Sequence, residues 1–256
     1  MKKGVTIVLI AICVVVFGIS AYKLLDYYGA DRAAETGFAQ LLPPELAGAD
    51  VEVDVEAGKS IYDILLPFYE ELREQNSDMV GWLRIPGTRV SYPVMQTKNS
   101  PEYYLDRDFE KNYSASGTLF ASDISDVDKP SDVVIIYGHR MRTGAMFGSL
   151  GDLLKEDFLL EHDRIIFDTF TERNEYKIYL LFSLAVGPDV VNEFDYFNYN
   201  GFADRAEFNT FMTRARNLAE IENPANMPQF GDKILLLSTC EYTHENGRLV
   251  VVAVRV

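Results

Sequence analysis

Cysteine and histidine are scarce in this chain of 256 residues, which has two cysteines and three histidines. Cys13 lies in an apolar N-terminal run, so the rest of the chain has a single cysteine, Cys240, and no partner for an internal disulfide. The histidines and cysteines lack the spacing of a zinc site, and the sequence has no glycine-rich phosphate-binding loop. We therefore expect neither a metal ion nor another cofactor.

Positive charge is also in short supply. The chain has 24 lysines and arginines against 39 aspartates and glutamates, a formal net charge of -15. A nucleic-acid partner is not expected, because phosphate binding requires a basic face. Apolar residues make up 48% of the chain, which is enough for one sizeable hydrophobic core.

A single long apolar run without charges stands at the N-terminus, from Gly4 to Tyr22, directly after Lys2 and Lys3. Its length is sufficient for a helix that spans a bilayer. A cleaved signal peptide is the alternative, but no small-residue cleavage motif follows the run. The sequence predicts a retained signal anchor over residues 1–23, with the N-terminus inside and the rest on the outer face of the cell membrane.

The remainder divides into two predicted parts. Residues 24–57 are rich in small and acidic residues without periodicity, which predicts an extracellular stalk or linker. Residues 58–256 are expected to form one catalytic domain. At its start, Ser60 and Asp63 have the spacing of a capping box, followed by an apolar helical pattern that Pro67 is expected to kink or split.

Short strand-like runs dominate this domain, and many of them are β-branched or aromatic. Eight or so strands predict a mainly β fold, either a barrel or a sandwich. Two helical stretches interrupt them, at 146–160 and at 203–221. The predicted strands are Val80–Ile85, Val90–Gln96, Gly117–Ala121, Val133–Tyr137, Arg164–Phe170, Glu175–Val186, Lys233–Thr239 and Leu249–Val256.

Cys240 stands at the end of a buried strand among polar neighbours, which favours a reactive thiol over an inert, buried one. A thiol becomes nucleophilic beside a base or a cation. His139 also stands at the end of an apolar strand and is one candidate base. His244, close to Cys240 in sequence, is the rival, and His162, at a turn between a helix and a strand, is interpreted as structural.

Arg248 opens the last predicted strand, after the turn residues Asn246 and Gly247. If this strand forms a hairpin with the strand before Cys240, Arg248 returns beside the cysteine. A guanidinium there could hold a substrate carbonyl or stabilise an oxyanion. The alternative is an ordinary surface arginine, as Arg255 in the same strand is expected to be.

Taken in order, these segments resemble the sortases, and among them class B. The resemblance covers nearly all of residues 60–256, and the ordered set is far more specific than any single motif. It rests on Tyr92–Gln96, Tyr103–Leu105, Gly117–Phe120, Tyr137-Gly138-His139-Arg140-Met141, Gly144–Phe147, Leu237-Ser238-Thr239-Cys240 and Arg248.

The resemblance implies an eight-stranded sortase-type β-barrel with N-terminal helices and a long helix before the Cys240 strand. It implies that His139, and not His244, is the base. The implied catalytic residues of a membrane-anchored cysteine transpeptidase are His139, Cys240 and Arg248. The residues that it implies for binding of a sorting peptide are Leu105, Tyr137, Ser238, Thr239 and Glu241.

The implied reaction is an acyl transfer. Cys240 attacks a carbonyl in the C-terminal sorting signal of another exported protein and forms a thioacyl-enzyme, while His139 exchanges protons with the leaving and incoming amines. The expected acceptor is a peptidoglycan cross-bridge amine or a lysine of a pilus subunit, in a Gram-positive-type envelope. A membrane-tethered cysteine peptidase and a non-catalytic surface-binding domain are the alternative hypotheses.

Overall fold

The computed structural model of the chain describes residues 2–43, 46, 60–129, 131–185, 194–240 and 247–256. Strands make up most of the folded part that follows residue 60, with helices between them. The strands are β1 (Met79–Arg84), β2 (Ser91–Met95), β3 (Leu119–Ala121), β4 (Val133–His139), β5 (Arg164–Thr169), β6 (Arg173–Ala185), β7 (Ala219–Glu222), β8 (Ile234–Cys240) and β9 (Gly247–Arg255).

Four α-helices and four 3-10 helices complete the described elements. The α-helices are α1 (Lys2–Gln40), α2 (Ile61–Gln75), α3 (Glu156–Glu161) and α4 (Arg205–Leu218). The 3-10 helices are Tyr103–Asp106, Gly148–Leu154, Tyr196–Asn198 and Pro224–Asn226.

Eight of the strands close into a barrel. Their order is β5-β1-β2-β3-β4-β8-β9-β6, and β5 also pairs with β6. The β2–β3 and β4–β8 pairs are parallel, and the other pairs are antiparallel. β6 is long enough to pair first with β5 and then, further along, with the added strand β7. The predicted eight-stranded barrel is confirmed, whereas β7 lies where the sequence predicted the end of a helix.

The core has two layers because the strands of the β4–β8–β9 sheet are covered on both faces. Along β8, Leu235 and Leu237 belong to the cluster inside the barrel, whereas Leu236 belongs to a second cluster outside it. The second cluster is covered by the buried face of α4, which consists of Phe208, Phe211, Met212 and Ala215. Burial on both faces explains why β8 reads as a continuous apolar run.

Two of the three predicted helical stretches of the domain are α-helices, and the third differs in type. The capping box of Ser60 and Asp63 is present, and α2 runs through Pro67 as one element, so the predicted split does not occur. α4 starts at its N-cap Asp204 and ends where β7 begins. The predicted helix at 146–160 is instead a 3-10 helix followed by α3. Gly148, which begins it, packs so closely on the Met141 carbonyl that no side chain would fit.

The N-terminal helix covers the predicted anchor and the first part of the predicted linker. Near its end, Phe38 is buried against the domain, with its ring edge on Tyr92 at a centroid distance of 5.5 Å. The first part of the predicted stalk or linker at 24–57 is thus helical to Gln40, and residues 44–45 and 47–59 lie outside the described residues. In the part of the chain that the structure describes, no helix is both long and apolar enough to span a membrane. The anchor and the domain boundaries stay predictions.

Candidate active site

Strand pairing brings two of the three predicted catalytic positions together. β4 and β8 are parallel neighbours, and their register pairs His139 directly with Cys240 at the end of both strands. Neighbouring strands lie about 5 Å apart, so these two positions are adjacent although they are distant in the chain. The placement of both residues at strand ends, predicted from their sequences, is confirmed.

Arg248 reaches the same place through the hairpin of β8 and β9. The antiparallel ladder pairs Ser238 with Val250. Cys240 lies two residues after Ser238 on β8, and Arg248 lies two residues before Val250 on β9. Between these pairs, the Thr239 hydroxyl accepts a hydrogen bond of 2.9 Å from the Leu249 amide. The predicted antiparallel pairing of the two strands is confirmed, and continuing its register by two residues places Arg248 opposite Cys240.

These three positions lie on one face of three adjacent strands. Residues two apart in a strand share a face. His139 therefore shares a face with Tyr137, and Arg248 shares one with Val250, which belongs to the outer cluster beneath α4. The site positions are on the outside of the barrel, at the edge where the α4 layer ends.

Gly138, between Tyr137 and His139, faces the barrel interior. A side chain there would collide with Leu119 and Phe147, so glycine is required by packing. Phe147 also donates a backbone hydrogen bond of 2.9 Å to the His139 carbonyl. The loop after β4 thus folds back and fixes the backbone at the end of the strand.

The imidazole of His139 is half-buried and has a defined partner. Its Nε2 lies 2.7 Å from the carbonyl oxygen of Leu105, in the 3-10 helix Tyr103–Asp106. The family resemblance implied Leu105 as a peptide-binding residue. The structure adds a contact through its backbone, which brings Leu105 to the edge where His139 and Cys240 meet.

This 3-10 helix is anchored in the barrel by Tyr104, which is fully buried. The Tyr104 hydroxyl accepts a hydrogen bond from Asn76 and donates one to Asp78, both at 2.8 Å. Burial raises the pKa of the Tyr104 phenol, so it stays protonated and keeps its role as a donor at neutral pH. The Tyr104 carbonyl accepts from the Thr118 amide at 2.9 Å, which ties the helix to the start of β3.

Two of the predicted peptide-binding residues are buried and use their hydroxyls inside the fold. The Ser238 hydroxyl lies 2.7 Å from that of Tyr196, and Thr239 bonds to the Leu249 amide as described. Tyr137 is half-buried, with its ring 5.4 Å from that of Phe120. Their role in peptide binding stays a prediction, and Glu241 lies outside the described residues.

The other two histidines differ in what the structure says of them. His162 ends α3, with its ring centroid 4.3 Å from that of Phe158, and packs against Gly87 just after β1. Its position next to β1 and β5, away from the β4–β8 edge, agrees with the structural interpretation. His244, the rival base, lies outside the described residues.

Three exposed arginines lie in or beside the loop that follows β4. Arg89, Arg140 and Arg142 are exposed there, and Arg89 Nη1 donates a hydrogen bond of 2.9 Å to the Thr143 carbonyl. The sequence from His139 to Leu150 has no acidic residue.

Sequence reasoning missed two features that shape the site. The Leu105 carbonyl is a backbone group, which no sequence pattern reveals. Gly117 packs directly against that carbonyl with a positive φ of 58°, and its signal was an isolated glycine within a predicted strand.

Comparison with known proteins gives one consistent result. A profile of the sortase domain matches residues 83–256. Sortase B of Staphylococcus aureus is 26% identical over 257 residues, covering 99% of this chain and 97% of that protein. Sortase B of Listeria monocytogenes is 29% identical over 184 residues, 71% of each chain. The structure of a Staphylococcus aureus sortase B–substrate complex is similar with a TM-score of 0.67 and 27% identity, over 76% of this chain and 91% of that one.

Proposed function

This chain belongs to the sortase family, as a class B member and thus a cysteine transpeptidase, and we propose that Cys240 is its nucleophile, with His139 and Arg248 completing the site. The register that pairs His139 with Cys240 across β4 and β8 carries this proposal. Arg248 opposite Cys240 in the β8–β9 hairpin supports it further. The three side chains belong to the types that acyl transfer through a thioester requires.

Each residue has one role in the proposed reaction. The Cys240 thiol gives its proton to His139, and the thiolate attacks a peptide carbonyl. The guanidinium of Arg248 stabilises the negative charge on the carbonyl oxygen. His139 then returns the proton to the leaving amine, the C–N bond breaks, and a thioester remains on Cys240. An incoming amine reverses these steps and releases the thiolate.

We propose that the acyl donor is the C-terminal sorting signal of an exported protein. The likeness to the structure of a Staphylococcus aureus sortase B–substrate complex supports a substrate of the same kind as that of sortase B. The proposed acceptor is a primary amine of the peptidoglycan cross-bridge or of a pilus subunit lysine. Leu105, Tyr137, Ser238, Thr239 and Glu241 are proposed to form or support the peptide groove.

The proposed location is the outer face of the cell membrane. The support is in the sequence: the uncharged apolar run from Gly4 to Tyr22 follows Lys2 and Lys3. An anchor there would hold the catalytic domain where exported substrates emerge. Protease treatment of intact cells would test this, since only an external domain would be cleaved.

The transfer itself is tested with a library of sorting-signal peptides, incubated with the full chain in the presence and absence of triglycine. Mass spectrometry should find a product joined to triglycine and a thioester on Cys240. Cys240→Ala should abolish both, and Cys13→Ala should abolish neither. Cleavage in which the amine never enters the product would identify a peptidase. Retained transfer in Cys240→Ala would refute the nucleophile.

A further inference from the structure

In the hydrogen bond between His139 and Leu105, the imidazole must be the donor and the carbonyl oxygen the acceptor. A backbone carbonyl oxygen can only accept, so the ring nitrogen 2.7 Å from it must carry a proton. That nitrogen is Nε2. A neutral imidazole has one protonated nitrogen, and in this geometry the lone pair is therefore on Nδ1.

We infer that the Leu105 carbonyl is a positioning group that holds the proton of His139 on Nε2, so that Nδ1 performs all proton transfers of the reaction. The Nε2 proton stays in place through both half-reactions. Nδ1 takes the proton of the Cys240 thiol and gives it to the leaving amine as the C–N bond breaks. It then takes a proton from the incoming amine as the new C–N bond forms and the C–S bond breaks.

The carbonyl can act in this way because three contacts hold it still. Gly117 packs directly on it, and a side chain at that position would collide with the Leu105 carbonyl oxygen. The Thr118 amide bonds to the preceding carbonyl, that of Tyr104, at 2.9 Å. The Thr118 hydroxyl donates to the Arg107 carbonyl at 2.8 Å, on the other side of Leu105. The Leu105 carbonyl is thus held by packing against Gly117 and by hydrogen bonds to the carbonyls of Tyr104 and Arg107, before and after it in the chain.

The uncharged nature of this partner matters for the reaction. A carboxylate would strongly favour the charged ring, whereas a carbonyl accepts a hydrogen bond from neutral and charged imidazole alike. The ring can therefore gain and lose a proton at Nδ1 without losing its orientation. An oriented ring is what positions the transferring proton, and a displacement of about 1 Å in such geometry can reduce a rate by roughly 100-fold.

The tautomer is measured directly on the full chain with ¹⁵N-labelled histidine. Ring nitrogen shifts distinguish a protonated from an unprotonated nitrogen, and comparison with His139→Gln assigns the signals. At a pH where the ring is neutral, we expect the proton on Nε2. A neutral ring with its proton on Nδ1 would overturn the inference.

In a second experiment, Gly117→Ala places a methyl group against the Leu105 carbonyl oxygen and should displace it. We expect a mixed tautomer signal and a kcat that falls roughly 10- to 100-fold, with KM changed less than about threefold. Gly231→Ala is the matched control, because Gly231 also has a positive φ, of 104°, but has open space where the methyl would go. It should alter neither readout. If Gly117→Ala leaves both the tautomer and kcat unchanged, the inference is wrong.

Thr118→Val is a milder variant that removes only the hydroxyl bond to Arg107 and should move both readouts in the same direction by a smaller amount. The inference rests on the proposed role of His139 as acid and base. Because the tautomer is read without turnover, failure of the transfer assay and failure of the tautomer assignment are separate results.

Discussion

On the β1–β5 side of the barrel, Asp168 is fully buried and bonded to charged partners, whereas at the β4–β8 edge His139 is bonded to a neutral one. Arg173 donates to Asp168 at 2.7 Å, Arg84 forms a second, shorter ion pair, and the Tyr69 hydroxyl lies 3.2 Å away. His139 contacts the Leu105 carbonyl instead. The partners of Asp168 include two guanidiniums, whereas the partner of His139 is a neutral backbone group.

The difference separates stability from catalysis within one barrel. Removal of a buried carboxylate between two guanidiniums is destabilising, because it leaves buried cations without compensation. A histidine that must accept and release protons needs an orienting partner that does not fix its charge. Substitutions on the first side should therefore change the free energy of unfolding, and substitutions at the second should change the rate of transfer.

The largest effect is expected at the catalytic edge. His139→Gln removes the proposed acid and base and should lower kcat/KM by roughly 10²- to 10⁴-fold, about 3–5 kcal/mol in activation free energy, with little change in Tm. His162→Gln is the control and should retain activity per folded molecule. An equal loss of activity in both variants would erase the distinction between the two regions.

Asp168→Asn should have the opposite profile. It leaves Arg84, which is 1% exposed, without its carboxylate, and should lower the free energy of unfolding by about 3–5 kcal/mol in urea titrations. Asp152→Asn breaks the exposed pair with Lys155 and should cost less than about 1 kcal/mol. Activity per folded molecule should persist in both. A loss of activity in Asp168→Asn without a loss of stability would contradict the comparison.

Tyr176 in β6 makes the stability of the first region sensitive to alkaline pH. Burial raises the pKa of Tyr176 from 10.0 to about 12. The folded state therefore binds this proton more tightly than the unfolded state, and the stabilisation is present below pH 10 and lost as the pH rises toward 12. The loss is roughly 2–3 kcal/mol.

Comparison of wild type with Tyr176→Phe isolates this contribution. In urea titrations at pH 9 and pH 11.5, the wild type should lose more stability than the variant does. Tyr179, whose pKa is also raised by burial to about 12, contributes equally to both proteins and cancels. Parallel pH dependence of the two proteins would show that Tyr176 titrates normally.

The smallest effect is expected at the start of α2, which packs on the same side of the barrel as Asp168. Ser60→Ala removes the side-chain cap that accepts from the Asp63 amide and should cost about 1 kcal/mol. Ser77→Ala, at an exposed position just after the helix, should cost less than half of that. Both should keep full transfer activity, and equal costs would show that the cap contributes nothing.

What the sequence predicted correctly rests on burial and on local chemistry. The apolar runs of β4 and β8 predicted strands, and polar residues at their ends predicted that His139 and Cys240 stand where a cleft can form. The capping box of α2 was also predicted, because a cap is a local interaction between near neighbours.

What it missed depends on partners distant in the chain. Residues 219–222 continue the composition of α4, and only pairing with β6 makes them strand β7. The region after Met146 was predicted as a helix, but the close packing of Gly148 on Met141 requires a tighter turn. The Leu105 carbonyl was missed because every residue has a carbonyl, and only the folded chain decides which one meets His139.

The parallel pairing of β4 with β8 also determines when the site comes into existence. His139 and Cys240 lie far apart in the chain, and β8 is held between β4 and β9, so we expect their pairing, which has a high sequence separation, to form late in folding. A nascent chain that lacks β9 has an open barrel and no Arg248. We therefore expect no transfer activity from a chain that ends before β9, because the proposed site lacks Arg248 there.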